Sequence, residues 1–242
     1  MQKIVILGNP HSGTTILKSI IGHIDDVHEI YKETQDLTSD MLEEAKNKKY
    51  ILIKVPRLTP KLVTYYMDNN FIIICIIRNP LYTLSSIKKR MGIELSDKLR
   101  PTNNYIKSIN TFVKYNSYKN IYTIKYEDIF NNNYEALKII LDKIGFKYND
   151  NIFNNEDFLN KDRKLKNKKI NSLIQNMDYE KLSNKIGVTT IEHNLIRLHQ
   201  INQPFKCMND DSKINITSDE LELLKSNKNI LDIYPQINNF SC

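Results

Sequence analysis

The sequence has too few cysteines for a fold held together by disulfides or by a structural metal. Its three cysteines, Cys75, Cys207 and Cys242, are widely spaced and odd in number. This pattern matches neither a disulfide framework nor the ligand spacing of a zinc site, and Cys75 lies inside an apolar run that is typical of a protein core. We therefore expect a reducing, cytoplasmic compartment and no metal cofactor.

Long hydrophobic runs are also missing. The most apolar stretch, Phe71–Ile77, is bounded by Asn70 and Arg78 and is far shorter than the roughly 20 residues that cross a bilayer. The apolar run at the N-terminus is too short for the core of a signal peptide. We expect no membrane span and no signal peptide, and we predict that Phe71–Ile77 is a strand buried on both faces.

Acidic residues are outnumbered by basic ones. The 35 lysines and arginines exceed the 28 aspartates and glutamates, so the formal net charge is +7. Such a charge suits an anionic small ligand, a polyanionic substrate or nucleic acid, and it does not choose among them. Part of the excess lies in the polar stretch 161–169, which includes Arg163 and is typical of a solvated surface.

Glycine is scarce as well, with six residues, but two of them bracket the most informative stretch. The apolar run 3–7 leads into a loop, and the loop opens directly onto a helical stripe of isoleucines and Leu17. A strand, a glycine-containing loop and a helix form a phosphate-binding geometry, because backbone N–H groups and the helix N-terminus point into one hollow. The loop consists of Gly8, Asn9, Pro10, His11, Ser12, Gly13, Thr14 and Thr15.

The spacing of this loop resembles a Walker A motif, with one important difference. Thr14 stands where that motif has the lysine that contacts the β- and γ-phosphates of a nucleotide. The missing lysine argues against a nucleoside-triphosphate enzyme and favours a different anionic ligand.

Strands that alternate with helices predict an α/β fold, in which a parallel sheet lies between two layers of helices. Strands are predicted at 3–7, 50–55, 71–77 and 121–125, and helices after the loop, at 38–47, 60–69, 103–118 and 134–144, and from Pro80. Ligands bind at the carboxyl ends of the strands in such sheets. We therefore expect one edge of the sheet to hold the loop together with Lys54, Arg78, Tyr126, Glu127 and Asp128.

The pattern changes beyond about residue 150, where the chain becomes more polar. We predict a helix at 190–201 and a capping box, from Thr217 to Glu220, that begins a final short helix. No repeat and no second glycine loop is visible. We expect a single domain over residues 1–242, with an α/β nucleotide-binding core at 1–150 and a helical C-terminal part at 151–242.

Two motifs of the predicted core resemble those of the sulfotransferases that use 3′-phosphoadenosine 5′-phosphosulfate (PAPS) as donor. Residues 10–15 stand in the place of the family's 5′-phosphosulfate loop. Arg78 and Ser86, eight positions apart, match the strand-end arginine and the serine that bind the 3′-phosphate in that family. The resemblance covers about residues 1–150 and extends to Tyr126, Glu127, Asp128, Gly145 and Phe146.

This resemblance implies a fold, a reaction and a set of ligands. We expect a P-loop-like fold and transfer of a sulfuryl group from PAPS to a hydroxyl group, with an amine as the second choice, of an acceptor that the sequence does not identify and for which a carbohydrate and a protein are the candidates. The nucleotide product would be adenosine 3′,5′-bisphosphate (PAP), no metal would be needed, and nucleic acid would not be a partner. The implied donor-binding residues are Asn9, Pro10, His11, Ser12, Gly13, Thr14, Thr15, Arg78 and Ser86.

The resemblance also implies three catalytic residues. Glu33 lies in the polar connection 25–34, where the carbohydrate- and protein-modifying branches place a glutamate base, and His28 and Glu29 are the alternatives. Lys54 resembles a lysine that these branches direct at the transferring sulfuryl group. His11 replaces the usual arginine or lysine of the loop and can donate one hydrogen bond to the oxygen that leaves with the nucleotide.

Two departures from the family pattern keep other functions open. His11 need not carry a charge, and no glycine-containing basic loop follows late in the chain, although 161–169 could take its place. One alternative is a P-loop nucleotide kinase or NTPase, which is weakened by Thr14 and by Arg78 at a strand end where an acidic residue would help to hold Mg²⁺. The other is a non-catalytic module that binds a nucleotide or a polyanion.

Overall fold

The computed structural model describes residues 1–30, 33–91, 99–154 and 207–241, together with Thr189, Glu192 and Phe205. The basic stretch 161–169 and, apart from Glu192, the predicted helix at 190–201 lie outside the described residues.

The described part of the chain contains five strands, and all of them pair in parallel in one sheet. They are β1 (Gln2–Gly8), β2 (Val27–Glu29), β3 (Tyr50–Val55), β4 (Phe71–Ile77) and β5 (Ile121–Lys125). The order in space is β2-β3-β1-β4-β5, so the carboxyl end of β1 lies between those of β3 and β4. The predicted parallel sheet is confirmed, and the strand ends that carry Lys54 and Arg78 flank the loop after β1.

The strand β2 corrects the prediction that residues 25–34 are only a polar connection. It pairs with β3 at the edge of the sheet, and the N–H group of Ile30 still donates to the carbonyl of Leu52 at 2.9 Å. β2 has three residues, and Val27 is its one buried apolar side chain. So short a segment shows no alternation from which a strand could be predicted. Glu33 lies at the end of β3, where its carboxylate contacts Lys54.

Nine α-helices lie in the described ranges, and their caps explain where several of them begin. The hydroxyl of Thr59 accepts a hydrogen bond from the N–H of Leu62, and Pro60 takes the first position of its helix. The helices are α1 (Thr14–Ile21), α2 (Ser39–Glu44), α3 (Pro60–Asp68), α4 (Pro80–Met91), α5 (Arg100–Tyr115), α6 (Tyr126–Ile129), α7 (Glu135–Ile144), α8 (Ser218–Lys225) and α9 (Lys228–Ile233). No described helix is long and apolar enough to span a membrane.

The predicted capping box is confirmed at the start of α8. The Thr217 hydroxyl accepts from the N–H of Glu220, and the Glu220 carboxylate accepts from the N–H of Thr217. The prediction that this helix is the final one is wrong, because α9 and a 3₁₀ turn at Pro235–Asn239 follow it. Both elements are short, so their sequences show too little helical periodicity to predict them.

The sheet is buried on both faces because each strand sends alternate side chains into two separate apolar clusters. One face, with Val5, Ile53 and Cys75, packs against α3, α4 and α5, and also against α8 and α9. The other face, with Ile6 and Ile76, packs against α1 and α7. The predicted layer of helices on each side of the sheet is therefore confirmed, and the sheet holds the strand ends rigidly at one edge.

Candidate active site

The loop between β1 and α1 has little space for side chains where it approaches the neighbouring elements. A Cβ atom added to Gly8 would lie 2.6 Å from the Ile76 carbonyl oxygen. Gly13 has a φ of 93°, and a Cβ atom there would lie 2.3 Å from the ring of Tyr126. The two glycines therefore let the loop pass close to β4 and α6 while α1 begins directly behind it.

Within this loop, the backbone is folded back on itself. The N–H and the hydroxyl of Ser12 both donate to the carbonyl of Asn9, at 3.1 and 2.7 Å. The buried side chain of Asn9 accepts a hydrogen bond from the Ser108 hydroxyl on α5 at 2.7 Å. These contacts fix the shape of the loop, so Asn9 and Ser12 support the loop through groups that face the protein.

His11 brings the loop into contact with the two residues predicted for the 3′-phosphate. Its φ of 66° is unusual for a residue with a side chain. Its carbonyl accepts a hydrogen bond from Nη1 of Arg78 at 3.2 Å, and its Nδ1 lies 3.0 Å from the hydroxyl oxygen of Ser86. The two separate sequence motifs therefore meet at one residue.

Lys54, Thr15 and Glu33 form a second group on the other side of the loop. Lys54 is 2 % exposed, and its Nζ donates to the Thr15 hydroxyl at 2.6 Å and pairs with Oε1 of Glu33 at 3.0 Å. Lys54 stands opposite Ile6 in the register of the sheet, which places its side chain beside the start of α1. The structure therefore brings the predicted base and the predicted lysine together.

The two alternative bases on β2 have other partners. Glu29 forms a buried ion pair with Lys18 of α1, with 3.0 Å between Oε1 and Nζ. Lys18 also donates to the carbonyl of Ile30 at 2.9 Å. His28 lies 3.8 Å from the carboxylate of Glu44. These contacts tie β2 to α1 and α2, whereas Glu33 is the predicted base that contacts Lys54.

Arg78 follows β4, and its guanidinium lies over an aromatic ring. Its guanidinium carbon is 4.6 Å from the centre of the Tyr126 ring, a distance typical of a cation–π contact. Burial raises the pKa of the Tyr126 hydroxyl, and the nearby charge of Arg78 opposes this effect. The hydroxyl therefore stays protonated at neutral pH, and the ring is a neutral platform for the guanidinium.

A segment that the sequence did not predict covers Arg78. Residues 207–211, here called the covering segment, contribute the Met208 carbonyl and the Asn209 side chain, which accept from Arg78 at 3.0 and 2.8 Å. The Met208 N–H donates to the hydroxyl of Tyr126 at 3.0 Å. The hydroxyl of Tyr82 bonds the carboxylate of Asp211, and burial and this contact raise the pKa of Tyr82 to about 12. No motif marks these residues, which lie about 130 positions from Arg78, so no sequence signal could have found them.

Glu127 was predicted only as part of a motif, and the structure gives it three hydrogen bonds. Its carboxylate accepts from the N–H of Asn79 at 2.9 Å, from the amide of Asn209 at 3.1 Å and from the hydroxyl of Tyr234 at 3.4 Å. It therefore joins the chain just after β4, the covering segment and the C-terminal elements beside Arg78.

In the ranges that the structure describes, no three His, Cys, Asp or Glu side chains are grouped as metal ligands would be.

The fold and these contacts define a class: a P-loop-like α/β protein whose β1–α1 loop is flanked by two cationic side chains, Lys54 and Arg78. No family model and no curated protein sequence matches this chain. Among solved structures, mouse sulfotransferase SULT7A1 complexed with PAP superposes with a TM-score of 0.61 at 18% identity, covering 98% of this chain and 87% of that one. The sulfotransferase domain of the Synechococcus PCC 7002 olefin synthase superposes with a TM-score of 0.50 at 13% identity, covering 93% and 94%. The chain therefore has the sulfotransferase fold.

Proposed function

We propose that this chain is a sulfotransferase that moves a sulfuryl group from PAPS to a hydroxyl group, with an amine as the second choice, of an unidentified acceptor, for which a carbohydrate and a protein are the candidates. The observation that supports it most directly is the meeting of Arg78 and Ser86 with the β1–α1 loop at His11. A site that binds a 5′-phosphosulfate and a 3′-phosphate on one nucleotide needs both motifs side by side. The shared fold with a mouse sulfotransferase complexed with PAP supports the same ligand.

The residues present fit such a donor. The loop of residues 8–13 and the N-terminus of α1 offer backbone N–H groups to the 5′-phosphosulfate. Arg78 can donate two parallel hydrogen bonds to a phosphate, and the hydroxyl of Ser86 can donate a third. When it is bound, PAPS supplies the activated sulfuryl group for transfer.

On the acceptor side, Glu33 and Lys54 have complementary roles in this proposal. The carboxylate of Glu33 is 36 % exposed and can take the proton of an acceptor hydroxyl. The Nζ atom of Lys54 contacts both this carboxylate and the Thr15 hydroxyl. In this proposal, its positive charge stabilises the negative charge that develops during transfer. His11 has its ring at Ser86 and adds a donor to the nucleotide side of the site.

We also propose that residues 1–242 act as one domain. Apolar residues of the C-terminal part support this, because they belong to the same cluster as one face of the sheet. They include Ile216, Leu221, Leu224, Ile230 and Ile237.

Nucleotide-dependent thermal stability tests the proposed function. We expect PAP to raise the melting temperature more than 5′-AMP does, because only PAP has the 3′-phosphate, and a ligand at about 100 times its Kd stabilises a protein by about 2.7 kcal/mol. Stabilisation by ATP with Mg²⁺ but not by PAP would support the kinase alternative instead. Equal effects of PAP, 5′-AMP and inorganic polyphosphate would support a non-catalytic anion-binding module.

A further inference from the structure

The side chain of Asn209 lies between Arg78 and Glu127 and bonds both. Nε of Arg78 donates to its Oδ1 at 2.8 Å, and its Nδ2 donates to Oε1 of Glu127 at 3.1 Å. A side-chain amide has its acceptor and its donors on separate atoms, so it can accept from a guanidinium at one end and donate to a carboxylate at the other. Asn209 therefore matches the chemistry of both neighbours without adding a charge to the site.

Three other contacts restrain the guanidinium group of Arg78. The carbonyl of Met208 accepts from Nη2 at 3.0 Å, that of His11 accepts from Nη1 at 3.2 Å, and the centre of the Tyr126 ring lies 4.6 Å from the guanidinium carbon. Each Nη atom has two N–H groups and gives one of them to these carbonyls. Each Nη atom therefore has a second N–H group, and a phosphate can accept hydrogen bonds from both Nη atoms of one guanidinium.

Glu127 keeps the Asn209 amide from rotating. Its carboxylate is itself held by the N–H of Asn79, the residue after Arg78, and by the hydroxyl of Tyr234. Glu127 is thus linked through Asn209 to the guanidinium of Arg78, and it also holds Asn79, the next residue in the chain. Freedom of rotation that is lost before binding does not have to be lost during binding, so such a chain favours ligand affinity.

We infer that Asn209 is a positioning residue, which orients Arg78 so that its two Nη N–H groups face the 3′-phosphate of the donor. The inference rests on the proposed function, because it takes the 3′-phosphate as the ligand of Arg78. It assigns to the covering segment a part in distinguishing PAP from nucleotides without a 3′-phosphate.

Calorimetry with PAP and 5′-AMP tests this inference on the variant Asn209→Ala. The Kd for PAP should rise about 10- to 150-fold, the scale of one hydrogen bond to a charged group, whereas the Kd for 5′-AMP should change less than about twofold. Asn215→Ala is the matched control, because its exposed side chain is removed while its backbone N–H still donates to Ser85 at 2.8 Å. The control should keep both Kd values, and thermal unfolding should show that both variants are folded.

A double-mutant cycle separates positioning from a general structural role. If Asn209 acts through Arg78, Asn209→Ala should not change the ratio of the two Kd values further once Arg78→Ala is present. A further change of the same size in that background, or an unchanged ratio in Asn209→Ala alone, overturns this inference and leaves the proposed function standing. A wild-type protein that binds PAP and 5′-AMP equally overturns the proposed function, and this inference with it.

Discussion

Lys54 and Glu33 form an ion pair at the carboxyl end of β3, with 3.0 Å between Nζ and Oε1. The lysine is almost fully buried, whereas the carboxylate reaches the surface. The same Nζ donates to the hydroxyl of Thr15 at the start of α1. Lys54 therefore links the carboxylate of Glu33, the proposed base, to the start of α1, directly after the β1–α1 loop.

This pairing leads to a prediction for Glu33. The variant Glu33→Gln keeps the size of the side chain but cannot take a proton, so turnover should fall by roughly 10²–10⁴ while PAP affinity stays unchanged. Release of PAP from PAPS, with a short oligosaccharide and a tyrosine-containing peptide as acceptor probes, measures turnover, and calorimetry measures affinity. The exposed Glu43→Gln is the control. Turnover close to that of the wild type would move the role of base to His28 or Glu29.

A second prediction concerns Arg78. The variant Arg78→Ala should weaken PAP binding by several kcal/mol, because hydrogen bonds to a charged group contribute about 1.5–3 kcal/mol each, and should affect 5′-AMP much less. Calorimetry with both nucleotides checks it, and Arg57→Ala, an exposed arginine just after β3, shows the effect of losing a charge alone. If Arg78→Ala weakens both nucleotides by the same factor, Arg78 does not bind the 3′-phosphate.

A third prediction concerns the buried pair of Lys18 and Glu29. Lys18→Met leaves the carboxylate of Glu29 buried without its cation, so the free energy of unfolding should fall by about 3–5 kcal/mol. The double variant Lys18→Met with Glu29→Leu should recover most of this loss, because an apolar pair needs no charge compensation. Urea denaturation measures both changes.

An exposed ion pair is the control for the buried pair of Lys18 and Glu29. Lys46 and Glu43 also form an ion pair, but their side chains are 60 % and 69 % exposed. Lys46→Met should therefore change the stability little. A loss for Lys46→Met as large as that for Lys18→Met would contradict the explanation by burial.

A fourth prediction compares two glycines with positive φ. Gly13→Ala should both destabilise the protein and weaken PAP binding, because the new Cβ would collide with Tyr126 at 2.3 Å in addition to the strain of a φ of 93°. Gly145 has a φ of 86°, but a Cβ there would meet its nearest atom, the Tyr50 hydroxyl oxygen, at 4.0 Å. Gly145→Ala should therefore cost only the backbone strain, about 1–2 kcal/mol, and keep PAP affinity. Urea denaturation and calorimetry distinguish the two variants.

The features that the sequence predicted well depend on local patterns. β4 is an unbroken apolar run, Pro60 and Thr217 mark the starts of helices, and Gly8 and Gly13 mark the loop, so each could be identified from a few neighbouring residues. The rule that ligands bind at the carboxyl ends of parallel strands then predicts, from the sequence alone, that Lys54 and Arg78 lie beside the loop.

The features that it missed depend on contacts between distant parts of the chain. Asn209 and Glu127 are 82 positions apart, and nothing in the local sequence of either indicates that an amide will meet a carboxylate. The edge strand β2 is too short for periodicity, and its place is fixed by pairing with β3 and by Lys18. Such long-range polar contacts become visible only after the sheet order is known.

The fifth prediction concerns His11 and its contact with Ser86. If Nδ1 carries the proton, it donates to the hydroxyl oxygen of Ser86, and the hydroxyl hydrogen is available for a phosphate. His11→Ala removes this arrangement and should weaken PAP binding about two- to tenfold, the scale of one neutral hydrogen bond. In a Ser86→Ala background the same change should have little further effect on PAP affinity measured by calorimetry. Additive losses in the double variant would contradict coupling through the hydroxyl.

The His11 variants also test a catalytic role at the leaving oxygen. A donor that faces this oxygen stabilises the transition state more than the bound substrate, so His11→Ala should lower turnover by roughly 10- to 1000-fold at saturating PAPS, and His11→Arg should keep or raise it. An inactive His11→Arg together with a fully active His11→Ala would contradict this role and leave His11 with a function in donor binding alone.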